Sequence, residues 1–336
     1  MRPSTLRLVA VAVVAPAVLA ACGSSKTTTP PAGGSTTSAA GSSVSAGGDC
    51  TPKAGDALTV LTDDKHSQLS DNVVPIVRTA VAKAPLTDAL NAVSKALTQA
   101  ALVELNRDVT VDKKTSAAAA TAFVADNSLG DGLTGGSGKI VVGAAGFTES
   151  LTLANVYADV LTKAGYAATA KTSGARAAYE PALEKGDIDV FPEYAATFTT
   201  FLATKQKSTA KASGDITETI AALKPLAQAA GLTALDPAEA TDQNAFAVTK
   251  ASAEAYGLTT LSDVATKCGG GIVVGAPAEC PTQGFCKQAL ESYGIKINDL
   301  KALDEDGPLT RQALKGGQVL IGEVFSSDAD VNGNTG

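Results

Sequence analysis

The sequence predicts an α/β protein with mostly parallel sheets and helices on both faces. Three observations predict it. From Lys139 onward, short continuous apolar runs alternate with stretches of helical periodicity. Those runs carry no polar alternation, as strands covered on both faces require. A body spanning roughly 55–331 is large enough to divide into two lobes.

The elements follow in order. Residues 57–61, ALTVL, read as a buried strand. Residues 72–78, NVVPIVR, are a second apolar run that Pro75 interrupts, which predicts an edge strand or a bend. Leu86, Leu90, Val93 and Leu97 recur at helical spacing over 85–97. Thr98 can cap a helix over 99–107, and Ser116 one over SAAAATAFVADN. Residues 128–138, SLGDGLTGGSG, have the composition of a linker. Residues 139–145 form a strand, and Leu153, Val156, Tyr157, Val160 and Leu161 give one helical face that Gly165 stops. Strand AATAKT, a helix over 176–185 ended by Gly186, and the strand 188–191 running into Pro-Glu-Tyr come next. A helix over 215–229 buries Ile216, Ile220, Leu223 and Leu226. Then come strand 244–249, two short helices, strand 271–277, a helix over 282–293, another near 308–315, and a final strand over 318–325. In such sheets ligands sit beyond the carboxyl ends of the strands.

The first 21 residues are not part of the fold. Arg2 and Arg7 precede an apolar stretch too short to span a membrane, which is the pattern of a secretory signal peptide. It ends in Leu19-Ala20-Ala21-Cys22, which resembles the lipobox of bacterial lipoproteins and implies lipidation at Cys22. Residues 22–56 then read as a flexible tether, almost wholly Ser, Thr, Gly, Ala and Pro up to residue 49. The net charge of −7, more negative once Arg2 and Arg7 are removed, argues against nucleic acid as a partner. The single histidine, His66, sits beside Lys65 on a polar turn and is expected to be solvated, so no His-centred hydrolase or zinc site is expected. Cys280 and Cys286 bracket a short Pro/Gly loop and are expected to bridge; spacing does not fix whether Cys50 and Cys268 pair.

No enzyme is predicted, and no cofactor or metal. GLTGGSGKI fails the phosphate-loop spacing, because Leu133 and Ile140 stand where Gly and Ser/Thr are needed, and it precedes a strand. No Gly-x-Ser-x-Gly occurs in the body. Asp187, Asp189 and Glu193 could suggest paired acids, but Asp187 reads as a cap or turn residue.

Several motifs in series resemble one family. KIVVGAAGFTES, ARAAYEPALEKGDIDVFPEYAAT, AFAVTKASAEAYGLTTLSDVA, VGAPAECPT, GPLTRQALKGGQV and FSSDADV occur in the order found in substrate-binding proteins of osmoprotectant (glycine betaine, choline, carnitine) ABC importers. That family continues past its last turn into segments similar to LTVLTDDKHSQLSDNVVPIVR, LNAVSKAL and ELN, which here lie at 58–78, 90–97 and 104–106. The resemblance therefore implies a circularly permuted, two-lobed periplasmic-binding-protein-like fold of type II. Lobe I would comprise 57–126 and 139–243, joined by the Gly/Ser linker 127–138. Lobe II would be 244–325, with 326–336 a tail at the second hinge. With the new termini at that hinge, one covalent hinge instead of two is expected. A domain-swapped dimer or a gene fusion is the competing arrangement; a monomer is expected.

The resemblance also implies the function and the site. The protein would be a lipid-anchored extracytoplasmic binding protein that captures a small solute and delivers it to permease subunits. A sensor or surface interaction protein of the same fold is the alternative. Quaternary ammonium ligands are held by aromatic faces, and carboxylate ends by NH and OH donors. Tyr194 and Thr197 match the family's ligand Tyr and its nearby hydroxyl. Phe147, Thr148 and Ser150 occupy the first turn, Tyr179 lies on a segment within reach of the cleft, and Phe325 stands where an aromatic follows the last strand. Asn244 and Arg311 stand where the family often has rings. Arg311 would either grip an acid end or mark a ligand that is not a betaine.

Overall fold

The computed structural model describes residues 48–282, 285–304 and 307–332. The signal peptide, Cys22, the tether up to residue 47 and the last four residues of the tail lie outside the described residues.

Strand β1 (Leu58–Leu61) and strand β2 (Val73–Arg78) precede three helices, α1 (Leu86–Ala96), α2 (Gln99–Thr110) and α3 (Ser116–Asp126). Thr98 caps α2 as expected, accepting from the Ala101 N–H. The cap of α3 is Thr115 rather than Ser116, because the Thr115 hydroxyl is the one that reaches the Ala118 N–H. After the Gly-rich joint come β3 (Lys139–Ala144), α4 (Thr148–Lys163), β4 (Ala167–Thr172), α5 (Arg176–Lys185), β5 (Val190–Tyr194), α6 (Ala195–Gln206), α7 (Ile216–Ala229) and β6 (Leu232–Ala234). Gly186 ends α5 at φ 89°, a left-handed cap that side-chain-bearing residues rarely adopt. The rest is β7 (Asn244–Thr249), α8 (Lys250–Tyr256), α9 (Leu261–Lys267), β8 (Ile272–Pro277), α10 (Lys287–Ser292), β9 (Ile297–Leu303), α11 (Pro308–Lys315), β10 (Ile321–Phe325) and α12 (Ala329–Asn332). Helix α10 is shorter than the expected 282–293, since Cys280–Thr282 form a separate turn.

These elements build two five-stranded sheets with helices on both faces, the two-lobed arrangement of a type II binding protein. Both sheets mix parallel with antiparallel pairs rather than being mostly parallel as expected, because β7 pairs antiparallel with β1 and β10, and β2 antiparallel with β5 and β6. Lobe I has strand order β4-β3-β5-β2-β6, and lobe II has β1-β7-β10-β8-β9. Side chains alternate across each sheet, as a two-residue period dictates. In β2, Val73 and Val77 enter one core and Val74 and Ile76 the other. In β7, Phe246 and Val248 face one core and Ala245 and Ala247 the other.

Three further expectations are corrected. First, β1 is not in lobe I: Leu58–Leu61 pairs antiparallel with Phe246–Thr249 of β7 in the lobe II sheet. Without β1, β7 would be the edge of that sheet, paired only with β10, so its free side accepts β1. Second, β2 is an interior strand, between β5 and β6. Pro75 is tolerated because its carbonyl accepts from Leu235 N–H on the β6 side at 3.0 Å. The polar edge of Pro75 therefore faces away from β5, and its missing N–H removes no bond to that strand. Third, residues from Cys50 onward are not free tether. The Cys50–Cys268 disulfide fixes them, Thr249 donates to the Lys53 carbonyl at 2.7 Å, and the Gly55 N–H donates to the Lys315 carbonyl at 3.0 Å. The expected Cys280–Cys286 bridge is formed as well.

With β1 in lobe II, the chain passes between lobes twice, through 62–72 and through 235–243. The single covalent hinge expected from the sequence is therefore not found. The two passages pair with each other: Asn72 bridges Thr241, the Asp242 N–H donates to the Asp71 carbonyl at 3.1 Å, and the Val73 N–H donates to the Ala240 carbonyl at 2.9 Å.

Candidate ligand-binding cleft

The carboxyl ends of β3 and β5 supply the lobe I wall. Beyond Ala144 the chain turns through Gly146 and Phe147 into α4. The Ser150 hydroxyl accepts from the Ala145 N–H at 2.8 Å and closes that turn from inside. The turn leaves Phe147 exposed and Glu149 buried. At the end of β5, Tyr194 turns its hydroxyl onto Glu149. Its ring lies 6.1 Å from the Phe147 ring at a 30° tilt. Glu149 also accepts from the Asn106 amide of α2 at 2.6 Å.

The two passages between lobes supply the floor. Asp71 accepts from the Thr197 N–H at 2.7 Å and from its hydroxyl. Asp242 accepts from the Ser327 hydroxyl at 2.8 Å. Burial raises the pKa of Glu149, and Tyr194 and Asn106 only partly offset it. Burial also lifts Asp71. Burial, reinforced by the nearby Glu149 charge, pushes Asp242 up to about 8. Desolvation raises the Tyr194 phenol well above its ordinary value, so it stays a donor.

These walls enclose a cavity of about 850 Å³ between the lobes. Of the expected site residues, Phe147, Tyr179, Tyr194, Thr197, Asn244 and Phe325 line it. Thr148 and Arg311 border instead an adjoining hollow of about 470 Å³, which shares Phe147 and Phe325 with the main cavity. Ser150 borders neither, since it is spent inside the β3–α4 turn. Tyr179 is back wall: it stacks on Phe191 at 3.8 Å and donates to Glu193 at 2.7 Å. Sequence reasoning missed Leu69, Asp71, Phe201, Asp242 and Phe285, which also line the cavity. Asp71 and Asp242 carry no local signal; only the pairing of the two passages brings them to one place.

The charges are distributed unevenly. Arg176 makes two hydrogen bonds to the Glu193 carboxylate, at 3.1 and 3.0 Å. Lys205 is held by Glu180 and Glu184. Arg311 contacts Asp328 at 2.8 Å and Asp330 at 3.6 Å. Every cation bordering these spaces thus faces carboxylates of its own. Asp71 and Asp242, by contrast, have hydroxyl and amide partners. The cavity presents aromatic faces above the two carboxyl groups of Asp71 and Asp242, both of which burial shifts toward the protonated form. As for metals, Cys280, Cys286 and Glu323 lie close enough together to suggest a site, but both sulfurs are committed to the disulfide.

The OpuAC family model, described as the substrate-binding domain of ABC-type glycine betaine transport systems, matches residues 51–126 and 138–334. The chain belongs to that family. Nearly the whole described body of this OpuAC-family chain is covered, with a break only at the Gly-rich joint. No curated protein matches the chain. The OpuAC family is a substrate-binding one, so its members work with a small solute and with permease subunits outside the cytoplasm. No helix among the described residues is long and apolar enough to cross a membrane.

Proposed function

We propose that this OpuAC-family protein is a lipid-anchored binding component of an ABC importer that captures a quaternary ammonium or related polar solute between its lobes. The cavity at the lobe junction carries this reading. It combines the rings of Phe147, Tyr194 and Phe325 with the carboxylates of Asp71 and Asp242. Aromatic faces attract a desolvated quaternary ammonium by about 0.5–2 kcal/mol each, and the floor carboxyls add to that attraction when they are ionised. The ion pairs of Arg311 favour a cation such as choline over a ligand whose carboxylate it would have to grip. Closure of the lobes is driven only by the ligand's preference for the closed form. Calorimetry with choline, glycine betaine, carnitine and small polar acids tests the assignment. Binding of choline is expected, and binding of none of them would remove the osmoprotectant reading.

The membrane attachment rests on the Leu19-Ala20-Ala21-Cys22 boundary. Fatty-acid labelling that disappears in Cys22→Ser is the expected result, and unchanged labelling would refute it. The permuted order is supported by packing at the chain ends: α12 lies against β1, so the last described element meets the first strand. Termini that lie together on a surface are where permutation is tolerated. The linker 127–138 would then join the family's usual end to its usual beginning within one monomeric chain.

A further inference from the structure

Five large apolar side chains are conspicuously exposed among the described residues: Leu69, Val111, Phe147, Phe285 and Leu309. Three of them, Leu69 at 43 %, Phe147 at 47 % and Phe285 at 37 %, line the same cavity of about 850 Å³ between the lobes. They come from three different segments: a passage between lobes, the β3–α4 turn of lobe I, and the loop between β8 and α10 of lobe II. Scattered single apolar residues need no explanation, but a convergence of this kind marks a surface meant to be covered.

Phe285 is the member with an unusual support. It immediately precedes Cys286, whose disulfide to Cys280 closes a loop six residues apart in sequence. Both cysteines are fully buried, so the bridge is pinned in the lobe II core while Phe285 beside it stays exposed. The Phe285 carbonyl accepts from the Gln68 amide at 2.7 Å, which ties Phe285 to the passage 62–72. Asn244 offers an amide to the cavity, and Arg311 is turned to carboxylates in the adjoining hollow.

We propose that Phe285 is a ligand-contacting residue of the lobe II wall, and that the Cys280–Cys286 disulfide sets its position and thereby the affinity of the cleft. Together with Phe325, the ring supplies from lobe II the aromatic faces that Phe147 and Tyr194 supply from lobe I. A cation with methyl groups is then covered from both sides when the lobes close. The bridge spares the loop the ordering that an open loop would undergo on binding. This rests on the solute-binding reading above.

The chain contains no tryptophan, so Phe285→Trp introduces a single reporter at the site. Choline, glycine betaine and carnitine serve as probes, with affinities from calorimetry and folding checked by thermal melting. For each probe the unaltered protein binds, Phe285→Ala is expected to weaken binding about 3- to 30-fold with an unchanged melting temperature. Phe285→Trp should shift its emission to the blue on binding. Combining it with Cys280→Ala and Cys286→Ala should abolish or reduce that shift and weaken binding, whereas Cys50→Ala with Cys268→Ala should not. If the unaltered protein binds and Phe285→Ala binds equally well, the contact is refuted and the transport reading stands. If Phe285→Ala weakens binding but removal of the Cys280–Cys286 bridge changes neither affinity nor emission, the role of the bridge is overturned. Binding of no probe by the unaltered protein overturns both readings together.

Discussion

The Tyr194 hydroxyl and the Glu149 carboxylate are joined at 2.5 Å, tying the end of β5 to the first turn of α4 beneath the cavity. The tyrosine thus has two separable parts, a ring that borders the cavity and a hydroxyl that satisfies a buried acid. Tyr194→Phe keeps the ring and leaves Glu149 one donor short. It should lower stability by about 1–3 kcal/mol in urea unfolding with little change in ligand affinity. Tyr194→Ala should also weaken binding of a quaternary ammonium about 2- to 30-fold. Equal loss of affinity in the two variants would show that the hydroxyl, not the ring, holds the ligand.

Stability should fall as pH rises across the neutral range. A carboxyl whose folded pKa is raised holds its proton more readily folded than unfolded. Its favourable contribution is complete below the unfolded value and is lost as pH rises through the folded one. For Asp242 that window runs from 3.8 to about 8, and Glu149 acts in the same direction. Urea midpoints measured from pH 5 to 9 should decline, and Asp242→Asn should flatten the slope. A wild-type midpoint that rises over this range would contradict the burial of these acids.

Cation binding should run the other way. An ionised Asp242 attracts a cation and a protonated one does not, so choline affinity should strengthen between pH 6 and 9. Calorimetry should find this dependence weakened in Asp242→Asn. A pH-independent affinity in the unaltered protein would place the ligand away from the carboxylate.

The Cys50–Cys268 bridge closes a span of 218 residues and fastens the start of the ordered chain to lobe II. Its removal by Cys50→Ala with Cys268→Ala should cost about 2–4 kcal/mol, read as a lower urea midpoint. The ligand cavity does not include it, so affinity should be unchanged.

Reordering the chain tests the permutation. Residues 48–126 moved behind residue 332, with Lys139 as the new start, should fold to the same far-UV spectrum and bind the same solutes. Both passages between lobes are retained in either order, so small-angle scattering of the ligand-free proteins should also coincide. A reordered chain that is soluble but unfolded would count against the permuted reading.

Most of the element order was legible because buried strands such as Lys139–Ala144 and Ile272–Pro277 are continuous apolar runs, and because Thr98 and Gly186 are local signals. Strand β9 was not, since Ile297–Leu303 is an edge strand with exposed Asn298 and Asp299 and lacks such a run. The sheet that β1 joins was misread because four residues, Leu58–Leu61, say that a strand exists but not where it pairs. At the site, aromatic residues at strand ends were readable from Phe147, Tyr194 and Phe325. The acids Asp71 and Asp242 and the ring of Phe285 were not, because their nearness depends on pairings between segments remote in sequence. Arg311 was readable as a cation near the cleft, but its partners Asp328 and Asp330 depend on α12 folding back beside it.

The side-by-side bonding of Asn72 with Thr241 and of Asp71 with Asp242 has a mechanical result. Two straps stitched edge to edge behave like the leaf of a door: they flex readily about one axis and resist torsion. The halves can then swing apart to release cargo while keeping the Phe147 and Phe285 sides in register for the next capture.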